Sequence, residues 1–339
     1  MKLGNLMVAF LFFIFLCPFS AKASTEIPFE VFPVVPDTHG EKGYFDFYIS
    51  DHFTKTIYIE ARNLKNRPIT LLITPINAST SSYGQISYQV NAKENQFLNL
   101  KVPLSQNITY ESKIMIPAKS SKKIPLIIHL KNIDNGVVLG GVHVIAENET
   151  VGEEEIKQGK TTFQIKNQIA YVIGIKMHTQ ILVEPKFSFE NVKLKLQYRE
   201  PKLYIEMSNA APAVIKNLSG KYEVTDEEGN QILKGSFSNM QMAPNSRFQY
   251  AADWIDGEVD PGKYQIKLSA EADGKKIDSV KQFTVKGTEP IDEYNKEKKE
   301  VDNSIPWWND FITAAIAGIM FYIIGRRIER KSKKPTTKQ

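Results

Sequence analysis

The chain has 339 residues, 42% of them hydrophobic and 24% charged, with one cysteine and a formal net charge of +5. That length can build two cores of ordinary size, and a single cysteine excludes a disulfide framework. Most of the positive charge sits at the ends: Lys2 and Lys22 carry +2 and residues 326–339 carry +6, leaving −3 for the middle, which excludes a nucleic-acid binder there.

Residues 1–23 read as a secretory signal peptide. Lys2 precedes an apolar run, Leu6–Phe19, and Ala21-Lys22-Ala23 forms an A-x-A site, so cleavage is expected between Ala23 and Ser24. Cys17 lies inside this segment, and Phe15 and Leu16 ahead of it are too large for a lipoprotein site. The mature chain then lacks cysteine, which points to an exported bacterial protein that relies on its core. With the C-terminal anchor described below, a Gram-positive envelope fits best. The Asn-x-Ser/Thr triplets at Asn77, Asn107, Asn148 and Asn217 are then chance matches.

Residues 24–150 carry strand signals. Phe45, Phe47 and Ile49 alternate with Tyr44, Asp46 and Tyr48; Ile57, Ile59 and Ala61 alternate with polar neighbours; Ile69, Leu71 and Ile73 repeat the pattern after Pro68, which suits a strand start. Ile124, Leu126, Ile128 and Leu130 form another strand, and Val137–Ala146 closes the set, its Gly140-Gly141 marking a bulge or a close backbone approach. Between them Ser79–Tyr110 is a long connection or a short-helix insertion whose Tyr83, Tyr88, Phe97 and Tyr110 either stack on sugars or cap the sandwich.

The acidic stretch 148–160 is a domain boundary or an exposed hairpin. Strands resume over 151–286, with Val192, Leu194 and Leu196 and Leu203, Ile205 and Met207 alternating with polar residues. Turns are expected at Asp226–Asn230, Asp260–Gly262 and Asp273-Gly274. Residues 287–304 are rich in Glu, Lys, Asp and Asn and read as a hydrated stalk. Residues 305–325 read as a membrane span: no side chain from Phe311 to Gly325 is charged, Trp307 and Trp308 suit the headgroup level, and Arg326 and Arg327 can snorkel. The basic tail 326–339 is then cytoplasmic. The fold class is therefore all-β, two tandem sandwiches followed by a charged stalk and a single C-terminal transmembrane helix.

No catalytic constellation emerges. His39, His52, His129, His143 and His178 lack metal-ligand spacing, and His129 and His143 sit inside strand patterns. The 152–161 segment has six residues between its glycines where a P-loop has four, and no G-x-S-x-G occurs. A carboxylate pair for glycoside cleavage stays open, because spacing in space is not readable here. No catalytic, cofactor or metal residue is assigned, no cofactor is expected, and the ligand-binding residues are left open.

Several segments together resemble the WxL-interacting proteins of Gram-positive bacteria. They are Tyr44-Phe-Asp-Phe-Tyr48, Asn63 with the strand Ile69–Ile73, Ile76-Asn-Ala-Ser-Thr80 with Gly84 and Tyr88, and Leu139-Gly-Gly-Val142. In the second half they are Ile169-Ala-Tyr-Val-Ile-Gly174, Met242-Ala-Pro-Asn-Ser246 and Asp260-Pro-Gly-Lys-Tyr264. The likeness runs from about Phe29 to the basic tail. It departs at Asp37-Thr-His-Gly40, where the family segment is richer in Asn and Gln, and no binding residue is carried over. The resemblance implies an Ig-like peptidoglycan-binding domain at 24–150 and an Ig-like host-binding or partner-binding domain at 151–286, acting beside secreted WxL-domain proteins.

The expected function is a non-enzymatic, membrane-anchored surface scaffold whose partners are peptidoglycan, WxL-domain proteins and host matrix proteins. An assembly factor for WxL proteins, with edge strands that accept a partner strand, is one rival, and an envelope carbohydrate-active enzyme is another.

Overall fold

Period-two alternation is realised throughout a computed structural model of the protein, which describes residues 27–35, 43–150, 153–158, 161–254, 258–288, 290–296 and 320. The signal peptide with its Ala23/Ser24 site, nearly all of the 305–325 span with Trp307 and Trp308, and the tail from Arg326 and Arg327 onward lie outside the described residues. Among the described residues no helix is long and apolar enough to cross a membrane.

The described residues divide into two compact units, the first comprising those up to Lys186 with the short segments 209–215 and 241–247, the second the remaining described residues. In the first unit β1 (Phe29–Val34), β3 (Phe53–Asn63), β9 (Ser121–Leu130) and the two-residue β7 (Ile108–Thr109) form one sheet, in the order β1-β3-β9-β7. A second sheet has the order β2-β13-β10-β4-β8, from β2 (Tyr44–Tyr48), β13 (Ala170–His178), β10 (Val137–Ala146), β4 (Ile69–Asn77) and β8 (Lys113–Ile116). Alternate residues of both sheets meet in one core: Ile57, Ile59 and Ala61 from β3, Ile124, Leu126 and Ile128 from β9, Leu71 and Ile73 from β4, Val142 and Val144 from β10, Ile175 and Met177 from β13. Pro75 and Pro125 are tolerated inside strands because their missing N–H costs nothing where a neighbour ends: β8 pairs with β4 only at 69–72, and β7 meets β9 only at 127–128.

Turns in this unit are fixed by buried polar side chains. Asn63, 1% exposed, donates its amide to the carbonyls of Arg67 (2.8 Å), Pro117 (2.9 Å) and Ile116 (3.2 Å) and accepts the N–H of Lys65 at 2.8 Å. The buried Glu149 carboxylate takes the Arg67 guanidinium at 2.8 Å, so a charge with little water around it is paired. The Ser79–Tyr110 connection becomes a small hairpin of β5 (Ser79–Thr80) and β6 (Ile86–Ser87) with two 3-10 turns, and Leu104 from the second turn enters the core. The acidic stretch is a hairpin: β11 (Glu153–Gln158) pairs with β12 (Thr161–Lys166), Ile156 opposite Phe163. The chain then returns as β13 to the first unit's sheet, so this unit extends through Lys186.

The second unit also has two sheets. One has the order β14-β15-β18, from β14 (Phe187–Gln197), β15 (Glu200–Asn209) and β18 (Ser246–Asp253). The other has the order β17-β16-β19-β20, from β16 (Ile215–Thr225), β17 (Gln231–Met242), β19 (Gly262–Ala272) and β20 (Lys275–Val285). Two of the expected turns are present, at Asp226–Asn230 and Asp273-Gly274, while at Asp260–Gly262 the chain bends at Pro261 and enters β19 at Gly262. Asp226 accepts the backbone N–H of Asn230 at 2.7 Å, and the hydrogen bonds from Asn230 hold its carboxyl below the usual carboxylate range. Asp273 and Gly274 both take positive φ, the geometry of a tight hairpin between β19 and β20. The start of the stretch read as a stalk is ordered against this unit: residues 290–296 are helical, Ile291 is buried, and the Asn295 amide brackets Val259 by donating to its carbonyl and accepting its N–H. Ile291 and Asn295 supply the apolar and polar contacts that a purely charged stretch would lack.

Candidate functional site

Two surfaces stand out, one on each unit. On the first unit, β2 is a five-residue edge strand running parallel to β13, with Tyr44 beside Gly174, Asp46 beside Lys176 and Tyr48 beside His178. Alternation turns Phe45 and Phe47 into the core and Tyr44, Asp46 and Tyr48 outward. The polar groups meet at the centre of this face: His178 Nε2 lies 3.0 Å from one Asp46 oxygen and Lys176 Nζ 3.4 Å from the other. Tyr48, 71% exposed, meets the His178 ring edge-on at 4.2 Å between centroids. Beside Tyr44 the floor is bare backbone, because Gly174 pairs with Gly141 of β10. A Cβ built on Gly174 would lie 3.3 Å from the Tyr44 Cβ and 4.0 Å from the Tyr88 hydroxyl, so Tyr88 of the 79–110 connection borders the same floor. Burial pushes the Tyr88 phenol up, keeping it a neutral hydrogen-bonding group.

The four aromatics singled out from the sequence separate here. Tyr83 is exposed, Tyr88 reaches the β13 face, Phe97 makes an isolated bridge to Ser246, and Tyr110 packs against the core. Of the histidines, His129 contacts Thr54 at 3.4 Å on an exposed strand, His52 lies 3.3 Å from Asp51, and half-buried His143 has its pKa lowered by desolvation. His39 lies outside the described residues. Sequence reading missed the grouping of Tyr44, Asp46, Tyr48, Lys176 and His178. The available signal was the outward half of the β2 alternation, which places two tyrosines where lysine or threonine would serve a solvated strand.

Two of the segments that carry the family resemblance interlock within the first unit. The Thr80 and Ser246 hydroxyls lie 2.6 Å apart, the Ala243 N–H donates to Thr80 at 3.0 Å, and Ser246 donates to the Ala243 carbonyl at 2.8 Å. The buried Asn209 amide donates to the carbonyls of Ala213 and Ala243 at 2.6 and 3.1 Å. These residues are 0% exposed or nearly so, which makes them structural fasteners rather than ligand groups.

On the second unit, a groove of about 610 Å³ crosses the four-stranded sheet. Lys221, Lys234 and Lys267 line it with Glu223 and Asp278, and none of the five makes an ion pair among the described residues. Val280, 57% exposed, is its apolar element. Beneath it Tyr222 leans over Gly235, where any Cβ would collide with the hydroxyl. Burial, with smaller contributions from Tyr250 and Asp253, pushes the Tyr222 phenol up to about 12. Among the described residues no group of His, Cys, Asp or Glu is placed to hold a metal.

Two strand-built units that present open sheet faces fit a binding protein. Family models support that class. Residues 29–146 match the WxL Interacting Protein peptidoglycan binding domain and residues 160–296 the WxL Interacting Protein host binding domain, and the chain belongs to this family. Both are binding-domain families and not enzyme families. No curated protein matches the sequence significantly. Among solved structures, the chain is similar to a chain of a chaperone–tip adhesin complex of CFA/I fimbriae (13% identity, 75% of this chain and 98% of that chain, TM-score 0.31). It is also similar to the Salmonella enterica SafA pilin–SafB chaperone complex (10%, 78% and 99%, 0.30) and the Pseudomonas aeruginosa CupB2 chaperone (12%, 73% and 98%, 0.24). TM-scores this low carry no argument about this chain.

Proposed function

We propose that this chain is a membrane-anchored scaffold of a Gram-positive envelope, with an Ig-like wall-binding domain at 24–150, its sheet completed by β13, and an Ig-like partner-binding domain in the rest of 151–286. The first associates with peptidoglycan, the second with WxL-domain proteins, host extracellular-matrix proteins, or both. The observation that carries the reading is the tandem match to a peptidoglycan-binding and a host-binding family, in that order along one chain. The strand orders β14-β15-β18 and β17-β16-β19-β20 support the Ig-like reading of the second domain. A signal cut between Ala23 and Ser24, a span at 305–325 seated by Trp307 and Trp308, and a cytoplasmic tail from Arg326 and Arg327 would hold both domains outside a single-pass cell membrane. WxL-domain partners rest on the family name.

The test is co-sedimentation of residues 24–304 with purified peptidoglycan sacculi, alongside binding to a panel of immobilised matrix proteins. Retention on sacculi is expected, with no soluble muropeptide released. Release of fragments would instead favour an enzyme.

A further inference from the structure

We propose that the face formed by Tyr44, Tyr48, Asp46, Lys176 and His178 holds the glycan backbone of a peptidoglycan strand, rather than its peptide stems. This rests on the wall-binding reading above and names its site. Tyr44 and Tyr48 stand on the same side of β2, and four residues at about 3.3 Å each separate them by ~13 Å, enough to meet more than one sugar ring. Tyr48 is 71% exposed and its ring meets His178 edge-on, so most of an apolar plane is presented to solvent. Sugar rings offer C–H faces to such planes and hydroxyls to the polar groups between them.

The polar centre selects the kind of partner. Lys176 and His178 both face Asp46, so donors and acceptors are available while the charges compensate one another. A neutral polyhydroxyl chain bridges such groups without leaving an ion unpaired, whereas the carboxylates of a peptide stem would compete with Asp46 for Lys176. The Gly174–Gly141 floor beside Tyr44 lets a ring approach the backbone, and the Tyr88 hydroxyl stands at its border.

The experiment uses the full chain in detergent and two probes: glycan strands freed of stem peptides by an amidase and then amidated at the lactyl carboxylates this exposes, so that they stay neutral, and the released stem peptides. The wild type is expected to bind the strands and not the stems. Tyr44→Ala with Tyr48→Ala should weaken strand binding roughly tenfold or more, given what aromatic contacts contribute. Gly174→Ala, which adds one methyl to the floor, should weaken it several-fold. Tyr198→Ala removes a tyrosine that is 93% exposed on the second unit and should change nothing. Tyr48 is on the surface, so an unchanged melting curve will show that the double variant folds. A folded double variant that binds strands as the wild type does overturns this site and leaves wall binding standing. Binding to stems in place of strands overturns it equally. A wild type that fails even on whole sacculi overturns the wall-binding reading, and the site with it.

Discussion

On the first unit the charges of the outer face are paired with one another, Lys176 and His178 both turned to Asp46 between two exposed tyrosines. On the second, Lys221, Lys234 and Lys267 stand in an open groove with Glu223 and Asp278, none of them in an ion pair among the described residues, and the exposed apolar element is a single valine. Both surfaces are outer faces of twisted sheets, so backbone architecture does not distinguish them. Side-chain pairing does. A compensated face with aromatics suits contacts that form at short range and tolerate salt, and unpaired lysines act at a distance and steer an oppositely charged partner. On the proposed reading the first face serves the wall polymer and the second a captured partner, although Lys176 and His178 of the first face are contributed by the segment that matches the host-binding family.

The largest effect comes from removing the scaffold under one side of the comparison. Asn63→Ala would leave the carbonyls of Arg67, Ile116 and Pro117 without their donor, at about 2–4 kcal/mol in a site this buried. The expected outcome is a drop of several degrees in the melting temperature together with loss of peptidoglycan retention, and calorimetry checks it. Salt comes next. Raising ionic strength from about 0.05 to 0.5 M shortens the Debye length to a few ångströms. Binding of a matrix protein through the groove should then fall by an order of magnitude or more, while retention on sacculi changes by less than about twofold. Equal salt sensitivity on both sides would erase the distinction.

Most of the fold was legible because each strand buries one face. The alternations at Ile57–Ala61, Ile69–Ile73, Ile124–Leu130 and Leu203–Met207 all became strands with those residues inside. Turn residues were legible for a local reason, since Asp226 with Asn230 and Asp273 with Gly274 make contacts or backbone angles that depend only on near neighbours. The candidate site was not legible. Asp46 and Lys176 are 130 residues apart, and only the parallel addition of β2 to β13 brings them to 3.4 Å. No local period encodes that pairing. For the same reason Tyr171–Met177, which lies within the 151–286 strand set, adds to the first unit's sheet. Its pattern specified a strand with one buried face, and the choice of sheet depended on the long-range partner Val137–Ile145.

A smaller effect tests the charge pairing on each side. Lys221→Glu, Lys234→Glu and Lys267→Glu together should slow association with a matrix protein by up to about tenfold at low salt and leave dissociation nearly unchanged, as steering requires. Stopped-flow or surface-binding kinetics separates the two rates. On the other face, Asp46→Asn leaves Lys176 without its counter-ion and makes the face positive. Stability should fall by roughly 1–2 kcal/mol, because Lys176 keeps contact with water whereas the Asp46 side chain is only 17% exposed. Strand binding should drop several-fold, and what remains should acquire a salt dependence it did not have. That outcome would show that compensation, and not merely the presence of tyrosines, sets the character of the first face.

The smallest effect concerns the groove floor. The Tyr222 phenol is pushed up to about 12 by burial, above the ordinary value of 10, so folding favours its neutral form. The sign follows directly: the stability it contributes is complete below pH 10 and is lost as pH rises from 10 through about 12. Because the ring edge lines an open groove, the loss is reduced from its full linkage value to about 1 kcal/mol. Tyr222→Phe removes the titrating group, so its unfolding free energy should be flatter than that of the wild type between pH 10 and 12. Tyr88 and Tyr171 of the first unit are also raised, and phenolate absorbance of the wild type alone would mix the two units. The difference spectrum between wild type and Tyr222→Phe isolates the second. If groove binding falls over the same pH interval in the wild type and not in the variant, the ring under Gly235 holds the groove in shape. If both fall together, lysine deprotonation alone accounts for the loss, and the groove acts through its charges.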